Sequence, residues 1–226
     1  MRSNDLLLNK YDSDKIEYLK YYDPIFEPWL EKRVDLLELG IFKGGSLLLW
    51  KDYFPKGNIV GVDINLPTNF PPTDRIRIFK GYQDDPAFLS SVANQTAPDG
   101  YDIIIDDASH FGELSKKSFW HLFDNHLKPG GIYAIEDWGT GYWNEWPDGS
   151  KLDLTSEYSK SKPVSNDPFP CHSYGMVGFI KQLIDEQGAS DVTKFDLHMR
   201  KSKFEHMLIT PCIVFVKKES NRTDYF

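Results

Sequence analysis

Two acidic clusters carry the groups best suited to chemistry: Asp106-Asp107-Ala108-Ser109-His110, and Glu136-Asp137. Each follows an apolar run, Ile103 to Ile105 and Ile132 to Ile135, of the kind that forms a buried strand in a parallel sheet. Open α/β sheets place their ligands at the carboxyl ends of such strands. If the two strands are neighbours, Asp107, Glu136 and Asp137 converge on one small volume. Three carboxylates so placed would repel one another and raise their pKa values unless a cation neutralised them. Oxygen ligands without cysteine point to a hard divalent ion, Mg²⁺ first, with Mn²⁺ or Ca²⁺ as alternatives and Zn²⁺ less suited. Strand-end acids that cap helices or face solvent would explain either cluster alone, but explain the pair less well.

The element that must position these tips is residues 34–46, VDLLELGIFKGGS. Val34, Leu36, Leu37 and Leu39 read as a buried strand, ended by Gly40. Gly44 and Gly45 then turn the chain into a helix through residues 47–50. A strand, a glycine turn and a helix make a nucleotide-binding crossover. From Gly40 the order is G-x-x-x-G-G, whereas the dinucleotide fingerprint has glycines at the first, third and sixth positions, so an NAD reading is disfavoured.

At 226 residues with 40% hydrophobic and 15% aromatic content, the chain suits one globular domain, residues 1–226. A net charge of −8 disfavours polyanions, so neither nucleic acid nor an anionic membrane is expected as a partner. The apolar run at residues 6–8 is too short for a signal peptide or a membrane span, and a cytoplasmic location is expected. Cys171 and Cys212 are the two cysteines, which leaves no disulfide framework and no cysteine metal site.

Residues 1–33 are expected to form two short helices, a helical lid whose aromatics pack on the sheet, with Tyr11, Ser13 and Asp14 placed to close over a ligand. Residues 58–64 read as strand two. Asp63 near its end lies 23 positions beyond Gly40, where Rossmann-like proteins hold ribose hydroxyls. Strand three, 76–79, leads into Gln83 and Asp84, which either contact a nucleoside or cap the helix after Pro86. Strand four is 101–107. Residues 111–125 read as a helix, and Leu127-Lys128-Pro129-Gly130-Gly131 as its end and a turn into strand five at 132–135. Residues 139–170 break the α/β rhythm and read as a substrate loop, in which Tyr142, Trp143 and Trp146 either stack on a ring or bury themselves as packing. A helix over 173–187 and two last strands at 192–198 and 207–216 complete the expected sheet, with Pro211 marking a bulge.

Several stretches together, LLELGIFKGGS, GVDI, GYQDDPAF, IIIDDASH, LKPGG and IEDWGTGYW, resemble the class I S-adenosylmethionine (SAM)-dependent methyltransferases. They are most similar to the metal-dependent sugar O-methyltransferases of the macrolide deoxysugar and rhamnosyl type. The resemblance spans about residues 10–185, and its most specific part is the DD-x-SH and ED pairing. It implies an α/β fold: a Rossmann-like, seven-stranded, mostly parallel sheet with helices on both faces and an antiparallel C-terminal hairpin. It implies SAM as methyl donor, S-adenosylhomocysteine as product and Mg²⁺ as the metal. Carried over residue by residue, Asp107, Glu136 and Asp137 would hold the ion and His110 would be the general base. Glu38, Gly40, Gly44, Ser46, Asp63, Gln83, Asp84 and Asp106 would line the cofactor. Ala108 stands where the family usually has glycine, a small change. The macrolide branch also carries a separate N-terminal domain, and none is expected in this chain.

That chemistry fits the residues. A sugar hydroxyl is too weak an acid to ionise at neutral pH. A bound cation would acidify it, and an imidazole titrating near the working pH would take its proton. The expected partner is a small-molecule acceptor, a sugar or glycosylated metabolite of natural-product or antibiotic biosynthesis. Exposed aromatics in the N-terminal helices and in the loop after Asp137 make a self-association surface reasonable, hence a homo-oligomer. Two alternatives stand: a metal-dependent O-methyltransferase acting on a catechol or phenol, and a SAM-binding relative without catalysis.

Overall fold

The computed structural model describes residues 1–68, 70–71, 73–152, 171–191 and 200–220. The strands are β1 (Asp35–Leu39), β2 (Asn58–Asp63), β3 (Ile76–Lys80), β4 (Tyr101–Asp106), β5 (Leu127–Glu136), β6 (Phe204–Ile209) and β7 (Ile213–Lys218). They form one sheet in the order β3-β2-β1-β4-β5-β7-β6. The first five run parallel, while β7 lies antiparallel between β5 and β6. Strand order reverses at β1, whose neighbours are β2 on one side and β4 on the other. This is the place where open α/β sheets leave a crevice for ligands.

Side-chain alternation assigns each face its own core. Leu37, Leu39, Val60 and Ile104 point to one side, against Phe119, Leu122 and Phe123 of α4 (Gly112–Asn125), Leu89 of α3 (Pro86–Thr96) and Phe179 of α6 (Gly175–Gln187), which follows the short helix α5 (Pro147–Lys151). Leu36, Ile59, Ile103 and Ile105 point to the other, against Leu19, Tyr22 and Phe26 of α1 (Lys15–Phe26) and Trp50 and Tyr53 of α2 (Gly45–Tyr53). Leu19, Tyr22 and Phe26 are all buried, and a large apolar side chain so buried contributes about 1.5–3 kcal/mol. Helix α1 is therefore held on the sheet by the same kind of packing that holds α2.

Three local expectations are corrected. Residues 127–131 do not form a turn: β5 begins at Leu127 and runs through Pro129 and Gly130, the latter at φ 75°. The pairing with β4 shifts register between Tyr101 and Ile103 to absorb this irregularity. The run 207–216 is not one strand but most of a hairpin. Thr210 and Ile213 bond to each other across its turn, and Pro211, which has no N–H to give a ladder, sits between them. The N-terminal stretch forms two 3₁₀ turns, Arg2–Asp5 and Leu8–Lys10, before the single long helix α1. The strand expected at 192–198 lies outside the described residues. No helix among the described residues is long and apolar enough to cross a membrane.

Candidate active site

Parallel pairing brings the acidic tips together. β4 lies between β1 and β5, with Asp106 opposite Leu39 on one side and Ile135 on the other. The backbone N–H of Asp107 continues the ladder to the carbonyl of Leu39 at 2.9 Å. Gly40, at φ 82°, lets the β1 turn pass so near that a Cβ there would sit 2.1 Å from the carbonyl oxygen of Asp107. The tips of three strands thus meet at one edge of the sheet.

At that edge Asp107, His110 and Asp137 each offer a ligand atom, all within 4.8 Å of one another, so this group could hold a metal ion. Nε2 of His110 lies 3.5 Å from Oδ1 of Asp107 and 3.9 Å from Oδ2 of Asp137. His110 and Asp137 both adopt left-handed backbone, at φ 48° and 50°. Such geometry costs a non-glycine residue about 1–3 kcal/mol and collects at functional sites. Here it turns both side chains inward from the strand ends. His110 is buried and meets the ring of Trp146 edge-on, with centroids 4.9 Å apart.

Glu136, expected as a third ligand, does not join this group. Its Oε1 accepts from the hydroxyl of Tyr22, and its Oε2 lies 3.0 Å from the ammonium of Lys15. Lys15 also bonds Oδ2 of Asp107 and lies 3.5 Å from Oε1 of Glu38. The sequence reading missed this lysine, which is 1% exposed. Burial alone would lower its pKa, but Glu136, Asp107 and Glu38 together outweigh it and hold the ammonium charged. One ammonium thus serves three carboxylates, bonding Asp107 and Glu136 and lying beside Glu38. Burial pushes Glu136 and Asp107 up, with Lys15 opposing.

A cavity of about 1100 Å³ opens beside these groups. Gly40, Ser46, Asp63, Gln83 and Asp84 line it, as do Asp107, His110 and Asp137. Tyr11, Ser13 and Asp14 form part of its wall, where the N-terminal segment crosses the glycine turn. Three residues assigned to the cofactor are not among the lining groups. Glu38 lies beneath the turn, accepting from Ser46 Oγ at 2.7 Å, and burial pushes its pKa up to about 7. Asp106 lies beneath the floor, accepting from Ser118 Oγ at 3.0 Å, and burial pushes it up to about 6. Gly44, at φ 83°, starts α2 and shapes the turn behind Gly45.

Asp63 spends its carboxylate on the loops around it. Oδ2 accepts from the backbone of Ile41 and Phe42, at 2.9 and 3.2 Å, and Oδ1 from Asn65 at 2.8 Å. The cap of α3 is neither Gln83 nor Asp84 but Asp85, whose side chain accepts from Phe88 N. Gln83 is instead buried, with Oε1 accepting from Ser109 N at 3.0 Å, and so braces the segment that presents His110. Of the loop aromatics, Trp146 reaches the cavity, Trp143 is about half exposed, and Tyr142 packs edge-on against His172. Asp148 was missed from sequence. It accepts from the backbone of Gly112 and Met176, at 2.8 and 2.7 Å, and ties the Trp146 segment to the starts of α4 and α6. Residues 153–170 of the expected substrate loop lie outside the described residues.

No family model matches the chain. Among curated proteins it is 38% identical over 148 residues to mycinamicin VI 2''-O-methyltransferase of Micromonospora griseorubida, covering 61% of this chain and 36% of that protein. It is 31% identical over 175 residues to 8-demethyl-8-alpha-L-rhamnosyl tetracenomycin-C 2'-O-methyltransferase of Streptomyces olivaceus, covering 74% and 40%. The chain thus spans well under half the length of the curated relatives it matches. Among solved structures it superposes on the MycE methyltransferase of mycinamycin biosynthesis, determined in complex with Mg and SAH. The TM-score is 0.74 at 29% identity, over 95% of this chain and 53% of that one. A putative caffeoyl-CoA O-methyltransferase from Staphylococcus aureus, at 13% identity and TM-score 0.53 over 93% and 87%, shares the fold alone. The chain has the class I methyltransferase fold, and in sequence it resembles the sugar O-methyltransferases of macrolide and tetracenomycin biosynthesis.

Proposed function

We propose that the protein is a Mg²⁺-dependent O-methyltransferase that moves a methyl group from SAM to a hydroxyl of a sugar or glycosylated natural product. The observation that carries this reading is the convergence of Asp107, His110 and Asp137 beside one cavity of about 1100 Å³. That volume is slightly above the roughly 300–1,000 Å³ of ordinary ligand pockets, which supports room for a cofactor together with the reacting part of an acceptor. The donor set fits a hard divalent ion: two carboxylate oxygens from neighbouring strand tips beside an imidazole. The relatives it resembles are named as sugar O-methyltransferases, and one was solved with Mg and SAH.

In this reading Asp107 and Asp137 hold the ion, and Glu136 supports them from behind, bound to Lys15 and Tyr22. The ion, when bound, supplies the positive charge that acidifies the acceptor hydroxyl and holds it in place. SAM supplies the methyl group on a sulfonium, and the cavity beside Gly40, Ser46 and Asp63 accommodates it. His110 takes the hydroxyl proton at Nε2, the nitrogen that faces both aspartates. Trp146 covers the imidazole and excludes water from one side. Fixing donor and acceptor in one cavity makes the transfer effectively intramolecular.

The test is methyl transfer from SAM to a panel of glycosides and catechols, followed by mass spectrometry, with Mg²⁺ or EDTA present. Methylated glycosides that vanish with EDTA are expected. Transfer confined to catechols would replace the sugar reading with the phenolic one, and SAM binding with no transfer to either class would favour a binding protein.

A further inference from the structure

Helix α1 presents Lys15, Tyr18 and Tyr22 at positions i, i+3 and i+7, which fall on one face. All three side chains end on the acidic tips. The Lys15 ammonium bonds Oδ2 of Asp107 and Oε2 of Glu136. The Tyr18 hydroxyl donates to Oδ1 of Asp137 at 2.6 Å, and the Tyr22 hydroxyl to Oε1 of Glu136. Each aspartate therefore has one oxygen engaged by α1. The other oxygen, Oδ1 of Asp107 and Oδ2 of Asp137, is the one that lies nearest Nε2 of His110.

We infer that one face of α1 is the outer layer of the metal site: Lys15, Tyr18 and Tyr22 are positioning residues that fix which carboxylate oxygens of Asp107 and Asp137 point at the ion. This rests on the metal reading proposed above and deepens it. The helix lies outside the strand–helix crossovers, yet it is rigidly seated. Tyr22 packs among Phe26, Trp50 and Phe215, with ring centroids at 4.9, 5.1 and 5.4 Å. A seated helix can hold three donors to fixed directions, as a loose cover could not. The donors are also of the right kind. The Lys15 ammonium has only protons to give, and each phenol here spends its proton on a carboxylate oxygen, Tyr18 on Asp137 and Tyr22 on Glu136.

Groups that orient metal ligands are worth about 10- to 100-fold in metal affinity when removed. Tyr18→Phe deletes one hydroxyl and keeps the ring. Calorimetric titration with Mg²⁺ should show at least about a 10-fold loss of affinity, with S-adenosylhomocysteine binding and melting temperature close to wild type. Lys15→Met should lose more, and Lys15→Arg should recover part of the loss because it retains the charge. Mg²⁺ affinity of Tyr18→Phe within two-fold of wild type would overturn the inference. So would parallel losses in ion binding, S-adenosylhomocysteine binding and melting temperature, which would mark the hydroxyl as a fold contact. If the wild-type protein itself takes up no Mg²⁺, the metal reading fails first and the outer layer with it.

Discussion

Nε2 of His110 lies 3.5 Å from Oδ1 of Asp107, three residues earlier in the chain, with the imidazole turned inward by a left-handed backbone. That pairing places a proton acceptor against a candidate metal ligand. Replacing His110 with Ala should lower turnover by about 10²- to 10⁴-fold, the usual worth of a positioned acid or base. S-adenosylhomocysteine should still bind, because the cofactor side of the cavity is built from other elements. Turnover at the wild-type rate would remove His110 from the reaction.

Asp137 shares that left-handed geometry, which asparagine tolerates as well as aspartate does. Asp137→Asn therefore removes a charge while leaving the backbone at ease, and Asp107→Asn does the same at the neighbouring strand tip. Both should weaken Mg²⁺ binding by more than the roughly 10- to 100-fold typical of a supporting group. Equilibrium dialysis against Mg²⁺ measures this directly. Unchanged binding in both variants would move the ion away from Asp107 and Asp137.

How much of this was legible in the sequence follows from the range of the signals. Three consecutive isoleucines before Asp106 and the glycines after Leu39 are local, and they announce the central strands and the turn between them without any tertiary knowledge. The meeting of Asp107, His110 and Asp137 at one sheet edge was legible for the same reason, since Asp107 and Asp137 directly follow recognisable strands and His110 comes three positions after Asp107. Lys15, Tyr18 and Tyr22 were not, because nothing in a lysine and two tyrosines at helical spacing distinguishes an ordinary amphipathic face from one that ends on acids 92 to 121 positions away. Glu136 shows the same gap: a carboxylate that follows an apolar strand looks the same whether or not Lys15 and Tyr22 already engage it. The turn at Pro211 was hidden inside a continuous apolar run, where only the missing N–H hinted at a break.

Gly45 gives a test of how the N-terminal segment reaches the cavity. A Cβ at this position would lie 2.0 Å from the carbonyl oxygen of Asp12, so the segment carrying Tyr11 to Asp14 rests directly on the first turn of α2. Gly45→Ala should push that segment off the turn and open the cavity wall. Calorimetry should find weaker S-adenosylhomocysteine binding than in the wild type. Undiminished binding would mean that the Asp12 segment does not help to hold the cofactor.

Acid stability offers a test away from the site. His121 and His126 both place Nε2 on the hydroxyl of Ser90, at 2.9 and 2.8 Å, with their rings 5.3 Å apart. Burial lowers both imidazoles below their usual value, and His126 is lowered further by His121 and Lys218. A histidine depressed in the folded state binds fewer protons there than in the unfolded chain, so its stabilising contribution is present above about pH 6.5 and is lost as pH falls through the folded value. Glu38 and Asp106 run the other way. Burial raises them to about 7 and about 6, so their contribution is present below the ordinary carboxylate range and is lost as pH rises to those values. The wild-type profile mixes the two trends, and the difference between wild type and His121→Asn/His126→Asn isolates the histidines. Melting temperatures measured from pH 7.5 to 5 should fall more steeply on acidification for wild type than for the double variant. Parallel curves would show that the Ser90 cluster takes up no protons on unfolding.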